Sequence, residues 1–228
     1  MGQRGGPDIP LVSNVFVIDS KNPRSKINAL ISVINNVLGT VTGATISGSG
    51  YSTAYTFSAS TNKIDFADLA SLKFTSALTI SSWIYPNTFG GTNAGRIYDK
   101  WQTTIPQSGY SFFIDNNTGT NAIAFGTGWI ISTSVARVNN VITLNGWQHV
   151  AVTFSGSACT FYKNGYSVGT VTGITAPTSG TVSAIVGNNT SNANYFDGKI
   201  DGLIMYSRGL SAAEINKIYT STKTRYGL

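Results

Sequence analysis

Trp147 to Gly169 reads WQHVAVTFSGSACTFYKNGYSVG, and this stretch fixes the fold class. Trp147 to Phe154 is aromatic and β-branched, with Val150, Val152 and Phe154 alternating onto one face, as a half-buried strand requires. Ser155-Gly156-Ser157 is a turn cluster. Ala158 to Lys163 then sets Cys159 and Phe161 on one side and Tyr162 on the other. Asn164-Gly165 follows, the pair that best tolerates the positive φ a two-residue type I′ hairpin needs at both central positions. The stretch therefore predicts three short antiparallel strands with one face free to build a core.

The composition extends this reading to the whole chain. The 228 residues are 41% hydrophobic and only 11% charged, with 25 glycines, a composition of many short strands joined by tight turns in one large β domain. The single cysteine, Cys159, excludes an intramolecular disulfide and a cysteine-based zinc site, and its strand position predicts a buried core residue. Met1 to Pro10 holds three Gly and two Pro and reads as a flexible N-terminal arm. It lacks the apolar segment of a secretory signal, and no run of apolar residues is long enough to span a bilayer. The expectation is synthesis in a cytoplasm without membrane insertion. The formal charge of +6 comes from 15 dispersed Lys and Arg. There is no basic stripe or basic helix, so nucleic acid is not expected as a partner. Arg4, Lys21, Arg24 and Lys26 form the densest basic group, either a solvated turn or a contact for an acidic assembly surface.

Other elements follow along the chain. Val15 to Ile18 predicts a first strand. Between Ile27 and Leu38 apolar residues fall at helical spacing, with Ser25 as N-cap and Gly39 as C′ residue, and this predicts a helix. A strand over Ala29 to Ile34 stays open, because Ile and Val favour strands. Strands are expected at Thr79 to Tyr85, Arg96 to Trp101, Tyr110 to Asp115, Ala122 to Phe125 and Gly180 to Gly187. Ser211 with Glu214 is a capping box, flanked by Leu210 and Ile215 as a hydrophobic staple, and it predicts a closing helix. Lys223 to Leu228 reads as a loose tail. The domain limits are an arm over 1–10, a sandwich over 11–220 and a tail over 221–228.

Three motifs carry a family resemblance: W-x-H-V-A-V-T-F with Y-x-N-G at Trp147 to Gly165, T-I-S-x-W at Thr79 to Trp83, and F-x-G-x-I-D running into Y-x-R-x-L-S between Phe196 and Ser211. The chain resembles the laminin-G-like branch of the concanavalin A-like sandwich family. The opening strand that ends in Asp19 and leads to Asn22-Pro23-Arg24-Ser25 is similar to such domains in tailed phages. The resemblance implies an all-β, two-sheet antiparallel jelly-roll sandwich with a short C-terminal helix. It further implies a virion protein that decorates a capsid or attaches to a tail or fibre, with virion proteins as partners through the arm, and adhesion to host-surface polysaccharide. A free carbohydrate-binding module outside cells, calcium-dependent or not, is the alternative; a polysaccharide lyase is the third. Self-association is left open.

Residue chemistry argues against catalysis. Glycoside hydrolysis generally needs two carboxyl groups about 5 to 10 Å apart, yet Glu214 is the only glutamate and the capping box uses it. Asp197 and Asp201, four apart on a strand, are about 13 Å apart. Gln148, His149, Tyr162 and Lys163 only faintly resemble a lyase set. No serine triad, phosphate loop or His/Cys metal cluster is present. Family relatives hold calcium with loop oxygens, and Asp115, Asn116, Asn188 and Asp197 are the candidate donors here. Trp101, Trp129 and Tyr110 are the candidate rings on which a sugar would stack, and Trp83 reads as packing.

Overall fold

The computed structural model describes residues 13–20, 29–31, 37–48, 53–102, 106–128 and 134–228. Sixteen strands, numbered in chain order, form two eight-stranded sheets among these residues, and every strand pair is antiparallel. The back sheet runs β14 (Tyr166–Val171), β13 (Ala158–Lys163), β12 (Gln148–Ser155), β7 (Ala77–Pro86), β16 (Gly198–Tyr206), β5 (Ala54–Phe57) and β4 (Thr45–Ser47), and β1 (Asn14–Ile18) also pairs with β16. The front sheet runs β11 (Val135–Val138), β10 (Ala122–Gly126), β9 (Ser108–Asp115), β8 (Arg96–Gln102), β15 (Ala184–Val186), β6 (Lys63–Phe66), β3 (Leu38–Thr42) and β2 (Ala29–Ile31).

Register follows the hydrophobic alternation. Val152 lies opposite Phe161 on one side and Ile80 on the other, and Phe154 opposite Cys159 and Leu78. A slip of one residue would turn this apolar set to the other face, so the pairing is tightly specified. Phe16, Phe57, Phe66, Phe112, Phe125, Phe154 and Phe161 fill the core between the sheets, and Cys159 is buried with them.

Where residues 27–38 are described, the expected helix does not form. Ala29–Ile31 and Leu38–Thr42 are paired strands, with Ala29 opposite Thr40 and Ile31 opposite Leu38; residues 32–36 lie outside the described residues. From Leu38 to Thr42 exposure alternates strictly, the period of a strand. Gly39 does not cap a helix. Its missing side chain makes room for the Phe66 ring, which would meet a Cβ there at 2.4 Å.

The back sheet's outer face is covered by α1 (Ala212–Thr222), whose Ile215 and Ile218 pack on Ala151, Tyr162, Ile204 and Tyr206. The capping box forms as expected, with both the Ser211 side chain and the Glu214 carboxylate engaged. The tail is not loose. Lys223–Tyr226 is a turn of 3-10 helix, and Tyr226 is buried with its ring 4.2 Å from that of Trp83. Gly202, at φ 55° in a bulge of β16, makes this possible: a Cβ there would lie 3.1 Å from the Tyr226 hydroxyl. The C-terminal segment thus covers the middle of the back face, and among the described residues no α-helix packs on the outer face of the front sheet.

Candidate functional site

That front face is built around β8 and β9. Tyr110, Phe112 and Ile114 of β9 point between the sheets, so Ser111, Phe113 and Asp115 point out. On β8 a bulge at Ile97 pairs Arg96 with Phe113 and Tyr98 with Phe112. The extra residue moves Arg96 to the outward side, where Asp99 and Trp101 already lie. The Arg96 guanidinium stacks 4.1 Å from the Phe113 ring centre, and Phe113 packs with Ala94, Ala124 and Val135.

Two ion pairs lie on this face. Arg96 Nε is 3.2 Å from Asp99 Oδ1, both side chains 2% exposed, and Arg137 Nε donates to Asp115 Oδ2. Burial pushes the Asp99 carboxyl up to about 6 against the pull of Arg96, and burial also lowers Arg96. For both partners desolvation outweighs their mutual attraction, as is common for buried ion pairs.

Above these pairs opens a cleft of ≈ 370 Å³ lined by Thr92, Ala94, Arg96, Trp101, Asn117 and Asn194. Three loops supply its polar rim. Asn117 follows β9 and donates to Asp115 from its backbone (3.0 Å) and its amide (2.9 Å). Asn189 organises the loop before β16: its Oδ1 accepts from Ser191, Ala193 N and Asn194 N, and its Nδ2 donates to Asn194 Oδ1 at 2.8 Å. Asn194 Nδ2 in turn donates to the Thr92 hydroxyl. The arrangement offers one indole, two carboxamides and a hydroxyl around a concave space. Another cleft, ≈ 410 Å³, is lined by Gln102, Gln107, Ser108, Thr178 and neighbouring small or polar residues, with no aromatic ring among the described residues that line it.

The sequence candidates separate sharply. Trp101 lines the cleft and is half-buried. Tyr110 is corrected: it is 1% exposed in the core, stacked 5.6 Å from Tyr98, with its hydroxyl donating to Leu72 O at 2.8 Å. Trp129 and the basic group Arg4, Lys21, Arg24 and Lys26 lie outside the described residues. The proposed calcium donors are tied into three separate networks. Asp115 serves Arg137 and Asn117, while Asn116 Oδ1 accepts from Asn121 N. Asn188 donates to Ser60 O and Asn62 O, and its Oδ1 accepts from Asn189 N. Asp197 accepts from Asn87 and Thr88. With their oxygens engaged by protein donors and no shared cage, these residues do not fit a calcium ion. Among the described residues no three His, Cys, Asp or Glu cluster as metal ligands.

The lyase set is equally unsuited to a surface role. His149 is fully buried, its Nε2 2.7 Å from Ser81 Oγ, and burial drives it down to about 3. The Gln148 amide donates to Thr143 O, and Lys163 Nζ donates to Val141 O. Thr92, Asn117 and Asn194, which complete the cleft, were not among the sequence candidates. Their only sequence signal is asparagine-rich loop composition.

The sequence matches the family model described as the concanavalin A-like lectin/glucanases superfamily over residues 58–216. The chain belongs to that superfamily. No curated protein matches it in sequence. Among solved structures it is similar to domain 4 of AbnA, an extracellular arabinanase of Geobacillus stearothermophilus solved with arabinotriose, at 17% identity and a TM-score of 0.69, covering 91% of this chain and 98% of that one. It is also similar to the binding domain of Paraclostridial Mosquitocidal Protein 1 (18% identity, TM-score 0.69, 92% and 52%) and to the ligand binding domain of botulinum neurotoxin serotype D solved with N-acetylneuraminic acid (16%, 0.65, 91% and 50%). The chain thus spans about half the length of those toxin domains, and at these identities the likeness is one of fold.

Proposed function

We propose that this superfamily member is a non-catalytic carbohydrate-binding module whose ligand seats in the front-face cleft. The observation that carries the reading is the joint lining of one cleft by Trp101, Thr92, Asn117 and Asn194. A sugar presents an apolar C–H face that stacks on an indole and equatorial hydroxyls that pair with amides. The cleft pairs those two chemistries, and the described lining of the larger cleft has only the polar half. The structural likeness to an arabinanase domain solved with arabinotriose, matched over 98% of its length, supports the assignment.

The absence of catalysis is part of the proposal. The two carboxylates nearest the cleft, Asp99 and Asp115, are each held by an arginine, and no carboxylate is among the described residues that line it. Display of the module on a virion is the setting expected from the phage-like resemblance; co-purification with particles would test it.

The direct test is calorimetry of the intact chain with a panel of oligosaccharides. Trp101→Ala is expected to weaken binding at least about tenfold, ~1.4 kcal/mol. Binding that survives Trp101→Ala unchanged, or a chain that ignores every glycan offered, would reject the cleft as the site.

A further inference from the structure

We propose that the cleft selects uncharged oligosaccharides, so that the positive surplus of the chain plays no part in choosing the ligand. This rests on the reading of the cleft as a sugar site. A chain of net charge +6 would ordinarily be expected to favour uronic or sialic acids. The front face denies that expectation, because its guanidinium groups are matched one for one by carboxylates.

Among the described residues Arg96 is the only charged side chain lining the cleft. One edge of it meets Asp99, its flat face lies on Phe113, and only 2% of it is exposed. Arg137 is committed to Asp115, whose other oxygen takes two donors from Asn117. A ligand carboxylate would have to displace a buried aspartate and shed its own water, with no second cation among the described lining residues to offset the loss. Lys63 of β6, two strands from β8, donates to Asn192 Oδ1 at 3.2 Å and is not among the residues lining the cleft.

What the rim does offer is neutral. Thr92 is held at φ 48°, ψ 29°, a left-handed conformation that a β-branched residue rarely adopts. Neighbouring bonds impose it: Gly91 N donates to Tyr195 O at 2.9 Å, and Asn116 N donates to Asn93 O at 2.8 Å. Strain of this kind persists where the surrounding structure over-determines it, and it gathers at binding positions. Here it sets the Thr92 hydroxyl beside the Asn194 amide, an uncharged pair that can exchange hydrogen bonds with sugar hydroxyls.

The test titrates the intact chain with arabinotriose, maltotriose and cellotriose, and in parallel with trigalacturonate and 3′-sialyllactose, at low and high salt. At least one neutral trisaccharide is expected to bind about tenfold or more tighter than either acidic one, with less than about a twofold change across the salt range. Asn117→Arg, on the exposed rim, is expected to add salt-sensitive binding of trigalacturonate. Acidic sugars that bind the unaltered chain as tightly as neutral ones, through Trp101, would overturn the charge argument and leave the sugar site standing. If none of the five binds while both proteins remain folded, the charge argument and the sugar reading fall together.

Discussion

Asp99 and Arg96 show how a binding face can hold charge without displaying it. Asp99 is raised from its ordinary value to about 6 because burial disfavours its anion more than Arg96 favours it. A carboxyl raised on folding binds its proton more tightly in the native state. Its contribution to stability is therefore complete below the unfolded value of 3.8 and is lost as pH rises through about 6. His149 acts in the opposite sense. Lowered from 6.5 to about 3 by burial, it contributes stability above its unfolded value that is lost as pH falls. The unaltered chain mixes the two, so the difference against Asp99→Asn isolates the first. In urea unfolding between pH 4 and 7.5, the stability of the unaltered chain minus that of Asp99→Asn should shrink as pH rises to about 6 and level off above it. A difference flat across this range would mean that the carboxyl titrates normally and that the front-face pair is not desolvated as described.

At the scale of elements, the hairpin between β13 and β14 joins sequence to packing most directly. Asn164 and Gly165 have φ of 49° and 82°, the type I′ signature, and Gly165 lies so close under α1 that a Cβ would be 2.9 Å from Tyr219. Asn164 does a second job that its turn propensity conceals, since its Oδ1 accepts from the backbone N–H of His149 at 2.9 Å. Asn164→Gly keeps the turn and loses that bond, a cost of ~1 kcal/mol. Asn164→Ala loses the bond and adds left-handed strain, so its cost should be roughly 1 to 2 kcal/mol larger. Denaturation midpoints measure both, and equal costs would show that positive φ is not what the asparagine supplies. The turn, the flanking strands and the Ser211–Glu214 cap were legible because each is set by residues within a few positions of one another. The pattern over 27–38 misled because Ile, Leu and Val at three- and four-residue spacing fit either period, and at Ala29–Ile31 pairing with β3 decides for the strand. Tyr110 misled for a related reason: Tyr110, Phe112 and Phe113 offer no polar contrast to reveal which alternate face of β9 is inside. The cleft was legible only at Trp101. Thr92, Asn117 and Asn194 arrive from three loops separated by tens of residues, and only the strand order brings them together.

For the molecule as a whole, the two outer faces have opposite fates, and the C-terminal segment decides between them. It seals the back face through a compact set of contacts. The Tyr226 ring stacks on Trp83, the Tyr226 hydroxyl donates to Asp201 Oδ2 at 2.8 Å, and Arg225 donates to Asp19 at 2.8 Å. Ser20 N donates to the other oxygen of Asp201 at 2.9 Å, so one buried carboxyl ties the end of the first strand to the last turn. Burial and the charge of Asp19 raise Asp201, which makes the two donors indispensable to it. Removing residues 223–228 uncovers Trp83 and strips Asp201 of a donor, losses comparable to deleting a large core side chain, ~3 to 5 kcal/mol. For a chain of this length that corresponds to a fall in melting temperature of roughly 10 °C. Tyr226→Phe, which keeps the ring and removes the hydroxyl, should cost about 1 to 3 kcal/mol. The front cleft shares no residue with this seal, so below the new melting temperature the truncated chain should bind oligosaccharide within about twofold of the full one. A truncated chain that melts with the full one would show that the back face does not depend on its cover. One that stays folded but loses binding would show that the faces are coupled through the core, and that the open side owes its shape to the closed one.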